Sequence, residues 1–413
     1  MAGTATNAGS VQILKRKYKD GLPKGNYQKF PAISSLTRDE TWVGDDLQLS
    51  IQIENPQGIG ASIAQAQGNM QQGNYQRFLA TRVEYFGVAR IKGQALKTAV
   101  KKGGGAVVDL WTNEVEGIQQ SVLKAHEIFF FGTGNGVRGT SSVGTTTTTI
   151  TLTVPEDVAN FDLGMNVGAV SDTTLSPTVR AGTQVITAID RVAGTITGAA
   201  IWNTVITGLL AGDSLLVAGD ASIAGTPVVP FGARQLLIGG TSPGILYGLQ
   251  RNVDPTRLAA QVVDLTGLPM ESALIDEESL LQIQGQGSDK ICWANPRDTR
   301  QLKKSLGSKL TYPRMDVKSQ IAGLSFKGFE LQTDTGIVPL MVSPFTPKTN
   351  NFMIDQSTDT MYSAGELVGL LDFDGLELIR VSTDDAYEVR VGGYMNRAIS
   401  NPVRSIRAIN WGA

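Results

Sequence analysis

The sequence predicts an α+β fold built around one long amphipathic helix. Three observations predict it: an alternating strand pattern before the helix, the helix itself from Ala106 to Phe131, and mixed strand and helix patterns after it. At a rise of 1.5 Å per residue such a helix would span roughly 40 Å, the width of a whole domain. The chain has 413 residues, enough for about two or three domains with well-buried cores.

The composition describes a weakly charged globular chain and excludes some functions. A formal net charge of −2 argues against a dedicated nucleic-acid binder, which normally has a basic excess. The only cysteine, Cys292, rules out an internal disulfide, and its apolar strand context predicts an inert core thiol. No stretch approaches the ~20 apolar residues of a membrane span, and the first residues lack the apolar core of a signal peptide. We therefore expect no membrane partner and assembly in a cytoplasm.

Residues 1–44 predict an extended N-terminal arm with little core of its own, because they are polar and broken by glycine and proline. The arm carries a basic cluster of Lys15, Arg16, Lys17 and Lys19. These residues are candidates for ion pairs with neighbouring subunits or for contact with nucleic acid. A plain solvated arm is the alternative, and the sequence leaves both open.

Residues 45–92 predict a long hairpin. Leu47, Leu49, Ile51 and Ile53 alternate with polar residues, which is the period of a strand. Asn55-Pro56 ends that strand, and the alternating run from Val83 to Lys92 is predicted to return beside it. An isolated hairpin is only marginally stable in water. We therefore expect it to rest on something else, such as a neighbouring subunit, through the four apolar residues of the first strand.

Residues 93–140 contain the long helix. Its apolar stripe is Val107, Trp111, Val115, Ile118, Val122, Ala125 and Phe129, at steps of four or three. The other faces are predicted to be polar: Asp109, Asn113, Glu116, Gln120, Lys124 and Glu127. His126, the only histidine, is predicted to be an ordinary residue on a helix face.

Residues 141–222 predict an inserted small all-β domain. Short strand patterns at 150–154, 184–189, 194–197 and 214–217 are separated by turn residues, which is typical of a small barrel or sandwich. The stretch is rich in threonine, and Arg180 and Arg191 are its only basic residues from Ser141 to Asp220. An acidic middle and a basic arm would suit surfaces that meet different partners.

Residues 223–375 mix helix and strand patterns. They predict a helix over 276–283, a strand over 290–294, and a helix from Pro296 to about Leu306, with proline at the first helical position. Further strands are predicted over 326–331, 338–342 and 350–355. Residues 376–413 add closing strands, beginning with the alternation around Tyr387, Val389 and Val391.

No catalytic constellation is visible in the sequence. Nucleophile–base catalysis needs a histidine near a nucleophile, and a zinc site needs several cysteines or histidines, which this chain lacks. Paired carboxylates occur at 45–46, 372 and 374, and 384–385, where solvated turns are the simpler interpretation. We therefore predict that the chain is not an enzyme and has no metal site and no cofactor.

Two stretches and the order of the elements resemble a known family. The stretches run from Gly336 to Asp355, and from Ala386 to Asn396 followed by Asn401-Pro402. With the order of arm, hairpin, long helix, α/β domain and closing strands, they resemble the major capsid protein of tailed bacteriophages, which has the Hong Kong 97 fold. The resemblance implies an N-terminal arm (1–44), an E-loop (45–92), a spine helix with part of the P-domain (93–140), an A-domain (223–375) and C-terminal P-domain strands (376–413). The all-β insert at 141–222 departs from the minimal fold.

The resemblance also implies a function. Such a protein assembles with itself into hexamers and pentamers of an icosahedral shell that encloses a double-stranded DNA genome, which it contacts non-specifically. Scaffolding, portal and decoration proteins are further expected partners, and the virion is the expected location. Some family members join an E-loop lysine covalently to an asparagine of a neighbour, but this E-loop offers only Lys92, at its base. We therefore predict noncovalent stabilisation.

Two alternatives remain open at the level of sequence. One is the shell of an encapsulin-like bacterial nanocompartment, which shares the fold. The other is a β-rich protein that binds or hydrolyses glycans, with the insert as its binding module and Asp372 and Asp374 as its acids.

Overall fold

The computed structural model describes residues 30–93, 110–239, 244–283, 289–306, 317–318, 325–326, 329–333, 336–371 and 379–412. The basic cluster of the arm, the first residues predicted for the long helix, and Asp372 and Asp374 lie outside these ranges.

A six-stranded sheet surrounds the longest strand of the chain and packs on the long helix. Its strands are Thr37–Asp39, Val83–Lys92, Asp359–Ser363, Gly369–Leu370, Ile379–Arg380 and Ala386–Ile399. The strand Val83–Lys92 runs antiparallel to Ala386–Ile399 along its whole length. Gly87 lets this strand approach the helix, since a Cβ there would lie 2.7 Å from side-chain atoms of Ile118 and Val122.

The predicted partner of the first hairpin strand is wrong. Asp46–Glu54 pairs antiparallel with Asn74–Thr81, placing Leu49 opposite Phe78, whereas Val83–Lys92 belongs to the six-stranded sheet. Both later runs alternate, so period alone does not choose between them. The run that contains Gly87 fits against the helix, which leaves the sequence-nearer run to close the hairpin.

The long helix spans Leu110–Phe131 in the described residues. Val122, Ala125 and Phe129 of the predicted apolar stripe are buried, which confirms that part of the stripe. The prediction that Glu127 lies on a polar face is wrong, because its side chain is buried. His126, predicted to be an ordinary residue on a helix face, is buried as well. The last turns of the helix are enclosed on every side, as expected for a helix in the centre of a domain.

Six strands between residues 137 and 217 close into a barrel. They are Val137–Val143, Thr149–Leu152, Asn166–Val170, Gln184–Asp190, Thr195–Gly198 and Ser214–Val217, with a 3₁₀ helix at Pro155–Asn160 and a helical turn at Trp202–Val205. Phe161 and Trp202 lie fully buried in its interior. The sequence patterns miss Val137–Val143 and Asn166–Val170, because glycine and serine weaken their alternation. The barrel therefore begins before residue 141.

A second six-stranded sheet forms the remaining body, in the order Gln261–Asp264, Ile406–Ile409, Asn351–Asp355, Lys290–Ala294, Gly336–Val342, Phe329–Thr333. Helices Met270–Ile283 and Pro296–Leu306 accompany it, and the first begins six residues before its predicted start at Asp276. The strand Lys290–Ala294 and the helix that follows Asn295 are confirmed. Cys292 is buried in that strand, as predicted. The main core joins both sheets to the long helix and includes Phe131 and Trp293, whose ring centroids lie 6.1 Å apart.

Short elements complete the described chain. Helical turns lie at Pro31–Ser35, Ile63–Gly68, Ala233–Leu236, Arg251–Val253, Pro255–Leu258 and Pro402–Arg404, and two-stranded ribbons at Ile245–Leu246 with Leu249–Gln250 and at Val317–Lys318 with Ser325–Phe326.

Candidate assembly surfaces

The body of the hairpin, Asp46–Glu54 with Asn74–Thr81, is anchored on its own chain. Leu47, Leu49 and Ile51 are half-buried against the main core, and Ile53 is fully inside it. The backbone N–H of Leu79 donates to the carbonyl oxygen of Tyr247 at 2.9 Å. The four predicted contact residues therefore share one face, and that face first meets the core of the chain itself.

The hairpin tip, residues 55–73, is a largely exposed unit at the end of this anchored body. The side chain of Ser62 accepts from Gln65 N at 3.3 Å, and Asn69 Nδ2 donates to the carbonyl oxygen of Ile59 at 2.9 Å. Ile59, Ile63 and Met70 are nevertheless 80 %, 78 % and 76 % exposed. Three clustered aliphatic side chains on a preformed tip are typical of an interaction surface. Strand and helix periodicity misses them.

The first described residues of the chain are tied to the long helix by one buried carboxylate. Glu127 accepts hydrogen bonds from Ala32 N at 3.1 Å, from Ile33 N at 2.9 Å and from Ser343 Oγ at 2.9 Å. The two amides belong to the first turn of Pro31–Ser35, where orphan N–H groups need an acceptor. Burial raises the pKa of Glu127 to about 7, and the three hydrogen bonds oppose that rise. This end of the arm is thereby fixed, while the basic cluster at Lys15, Arg16, Lys17 and Lys19 precedes the described residues.

The barrel is braced against three neighbouring elements by polar contacts. Lys124 of the long helix pairs with Asp162 at 2.8 Å, and Arg297 of the helix Pro296–Leu306 pairs with Glu156 at 3.0 Å. The hydroxyl of Tyr85 donates to Asp220 at 3.3 Å, just after the last barrel strand. These contacts give the barrel a defined position on the body of the molecule.

His126 lies beside this junction, with neither ring nitrogen hydrogen-bonded among the described residues. Its ring packs edge-on against Tyr85 and Phe129, with centroids 5.4 and 6.2 Å apart. Burial lowers the pKa of His126 to about 4, so its neutral form is the one that fits the fold.

Replacing His126 by phenylalanine should make the protein more resistant to acid. A histidine whose pKa falls on folding contributes stability above pH 6.5 and loses it as the pH falls towards 4. Between pH 8 and pH 5 the wild type should therefore lose about 2 kcal/mol more of its free energy of unfolding than His126→Phe does. Urea denaturation at both pH values measures it, and no other histidine complicates the comparison. An unchanged difference would contradict the burial of a neutral imidazole.

The described residues hold no cluster of three or more His, Cys, Asp or Glu side chains that could bind a metal ion. Asp384 and Asp385 are exposed, as are Asp45 and Asp46. In the part of the chain that the structure describes, no helix is long and apolar enough to cross a membrane. The hairpin tip and the barrel are therefore the candidate contact surfaces of the described residues.

No protein-family model and no curated protein matches this sequence. Solved structures do match. The capsid asymmetric unit of cyanophage A-1(L) aligns with a TM-score of 0.55 at 10 % identity, over 98 % of this chain and 99 % of that chain. The capsid of the native GTA particle aligns with a TM-score of 0.52 at 9 % identity, over 99 % of both chains. An encapsulin from Synechococcus elongatus PCC 7942 aligns with a TM-score of 0.48 at 8 % identity, over 98 % of this chain and 95 % of that chain.

Both leading matches extend over almost the whole length of each chain. At identities of 10 % and 9 % the likeness concerns the path of the backbone and not individual side chains. The chain has the fold of phage capsid proteins.

Proposed function

We propose that this chain is the major capsid protein of a tailed bacteriophage, with the Hong Kong 97 arrangement of arm, E-loop, spine helix, P-domain and A-domain. Copies assemble into hexamers and pentamers of an icosahedral shell around double-stranded DNA. The observation that supports the proposal is the likeness of the backbone to phage capsid chains over almost the whole length of this chain. The protein acts as a structural component of the virion, without catalysis.

The physical logic rests on surfaces that a single copy leaves uncovered. Shell subunits bury large areas, often 2,000–5,000 Å² or more per interface. Ile59, Ile63 and Met70 expose apolar area that a solitary protein gains nothing by exposing. Leu47, Leu49 and Ile51 are only half-buried and add to this apolar area.

The basic cluster of the arm, Lys15, Arg16, Lys17 and Lys19, is proposed to make ion pairs with neighbouring copies or to meet the DNA phosphates. The DNA contact would be non-specific, since phosphate charges carry no sequence information. Scaffolding, portal and decoration proteins are the remaining proposed partners, with assembly in the host cytoplasm.

Shortening the apolar hairpin face tests the assembly role. The double variant Leu47→Ala and Leu49→Ala should lower the assembled fraction at least tenfold, because each residue serves both the core and the interface. Sedimentation velocity measures the assembled fraction, and circular dichroism checks that the monomer is folded. The matched control is Gln48→Ala and Ser50→Ala on the opposite, exposed face of the same strand. A folded double variant that assembles like the control would contradict the role of this face.

A further inference from the structure

The three longest stretches of this sequence without a charged residue are 55–76, 192–212 and 139–155. The first contains the hairpin tip. The other two lie in the barrel, and the fold brings them together. The rest of the chain distributes its 74 charged side chains, 36 basic and 38 acidic, over the remaining residues.

The two barrel stretches form one continuous surface, which we name the barrel face. Their strands pair with Thr149 opposite Thr197, and the two hydroxyl oxygens lie 3.0 Å apart. The indole nitrogen of Trp202 donates to the carbonyl oxygen of Thr148 at 2.9 Å, which closes the loop of one stretch over the other. The barrel face is therefore a built surface, held by its own hydrogen bonds.

Aliphatic side chains project from the barrel face. Val143 is 59 % exposed, Leu210 is 60 % exposed and Ile201 is 42 % exposed. At one border of this surface Arg180 and Asp213 pair with each other at 2.9 Å, and the other charged residues next to the two stretches in sequence are Arg138, Glu156 and Arg191. Thr146, Thr147 and Thr148 are also exposed there.

An uncharged surface of this kind has a narrow choice of partners. Covering it with a charged surface would bury unpaired charges, which costs several kcal/mol per ion. The hairpin tip matches it, since the tip has no charged residue and presents Ile59, Ile63 and Met70. Within one copy both surfaces are exposed, so neither covers the other.

We propose that the hairpin tip of one copy docks on the barrel face of a neighbouring copy. This inference rests on the proposed shell-forming function and names one of its interfaces. The partner is a second copy of this chain, and the contact is apolar with threonine and glutamine hydrogen bonds around it. It gives the barrel a role in holding the shell together.

Cysteine cross-linking tests the contact, because the only native thiol, Cys292, is buried. Copies with Met70→Cys are mixed with copies with Leu210→Cys, assembled, oxidised mildly and separated on a non-reducing gel. We expect a cross-linked dimer that forms only in assembled particles. The control partner is Val262→Cys, an exposed aliphatic position on the second sheet, which should give no dimer with Met70→Cys.

Two results would overturn the inference while leaving the proposed function intact. Particles could form in which Met70→Cys links to Val262→Cys or to another tip, and not to Leu210→Cys. Particles could also form with no cross-link to the barrel face at all. If the unaltered chain forms no particles with any helper protein, the proposed function fails, and this inference fails with it.

Charge swaps give an independent readout. Leu210→Lys alone should lower the assembled fraction at least tenfold, because it places an uncompensated charge in the contact. Combining it with Met70→Glu should recover most of that loss, since the two new charges then meet across copies. Assembly of Leu210→Lys at the wild-type level, or no recovery in the double variant, would count against the contact.

Discussion

Replacing Arg397 by alanine should cost roughly 3–5 kcal/mol of the free energy of unfolding, which is typical of breaking a buried ion pair by removing one partner. Arg397 is fully buried, and its guanidinium bonds both carboxylate oxygens of Asp359 at 2.6 and 2.8 Å. It also donates to the carbonyl oxygen of Phe130 at 2.8 Å and lies 3.8 Å from the centre of that ring. One side chain thus joins the longest strand to the end of the long helix.

Most of this loss of stability comes from the groups that remain buried after Arg397 is removed. Without the arginine, Asp359 remains as a buried carboxylate with no cation, and the helix loses a positive charge at its C-terminal end. Urea denaturation of the unassembled subunit measures the effect. The matched control is Arg82→Ala, whose partner Asp45 is largely exposed and whose loss should cost no more than about 1 kcal/mol. Equal losses in the two variants would contradict the central position of Arg397.

Replacing Glu127 by alanine should release the arm from the long helix. The amides of Ala32 and Ile33 would lose their acceptor, and an unsatisfied buried donor costs about 1–3 kcal/mol. Their hydrogen exchange should accelerate by on the order of 10- to 100-fold. Amides in the strand Lys290–Ala294, which has no contact with the arm helix Pro31–Ser35 among the described hydrogen bonds, provide the internal reference. Unchanged exchange at Ala32 and Ile33 would show that the arm is held by other contacts.

The same carboxylate predicts a pH dependence with a definite sign. A carboxyl group whose pKa rises on folding contributes stability below its ordinary pKa and loses it as the pH rises through the folded value. For Glu127 this window runs from 4.5 to about 7. Among the described residues, Glu127 accepts hydrogen bonds from Ala32, Ile33 and Ser343, and none of these partners is charged.

Glu127→Gln removes this titration while keeping one acceptor oxygen. As the pH rises from 4.5 to 8, the free energy of unfolding of the wild type should therefore fall by about 3 kcal/mol relative to this variant. Glu84→Gln, at an exposed position of the six-stranded sheet, is the control and should follow the wild type. Parallel profiles for wild type and Glu127→Gln would contradict the burial of an ionisable carboxyl at this position.

Local signals in the sequence are enough for some elements and not for others. The strand Lys290–Ala294 and the helix at Pro296 are predicted correctly because a short apolar run and an Asn-Pro boundary are read within a few residues. The partner of the first hairpin strand is not predicted correctly, because two neighbouring runs both alternate. Which of them pairs with it depends on how Gly87 fits against a helix further along the chain. The sequence predicts a β-domain at the position of the barrel, but it misses two of the strands because their glycine and serine residues weaken the alternation.

The buried polar groups show the same limit more sharply. Glu127 is predicted to lie on a polar face of the helix. Its hydrogen-bond partners lie 94 and 95 residues before it and 216 residues after it in the sequence. No local pattern contains such pairings. The exposed aliphatics of the tip and the barrel face are also missed by periodicity, although the absence of charge in their stretches is visible in the sequence alone.

Electron microscopy of the full chain in negative stain tests the central claim most directly. The claim is that identical copies, joined through their projecting surfaces, build a closed shell. The chain is expressed alone and also with its candidate helper proteins. The account predicts closed spherical particles of uniform size. Well-folded single molecules at high concentration under both conditions would contradict it.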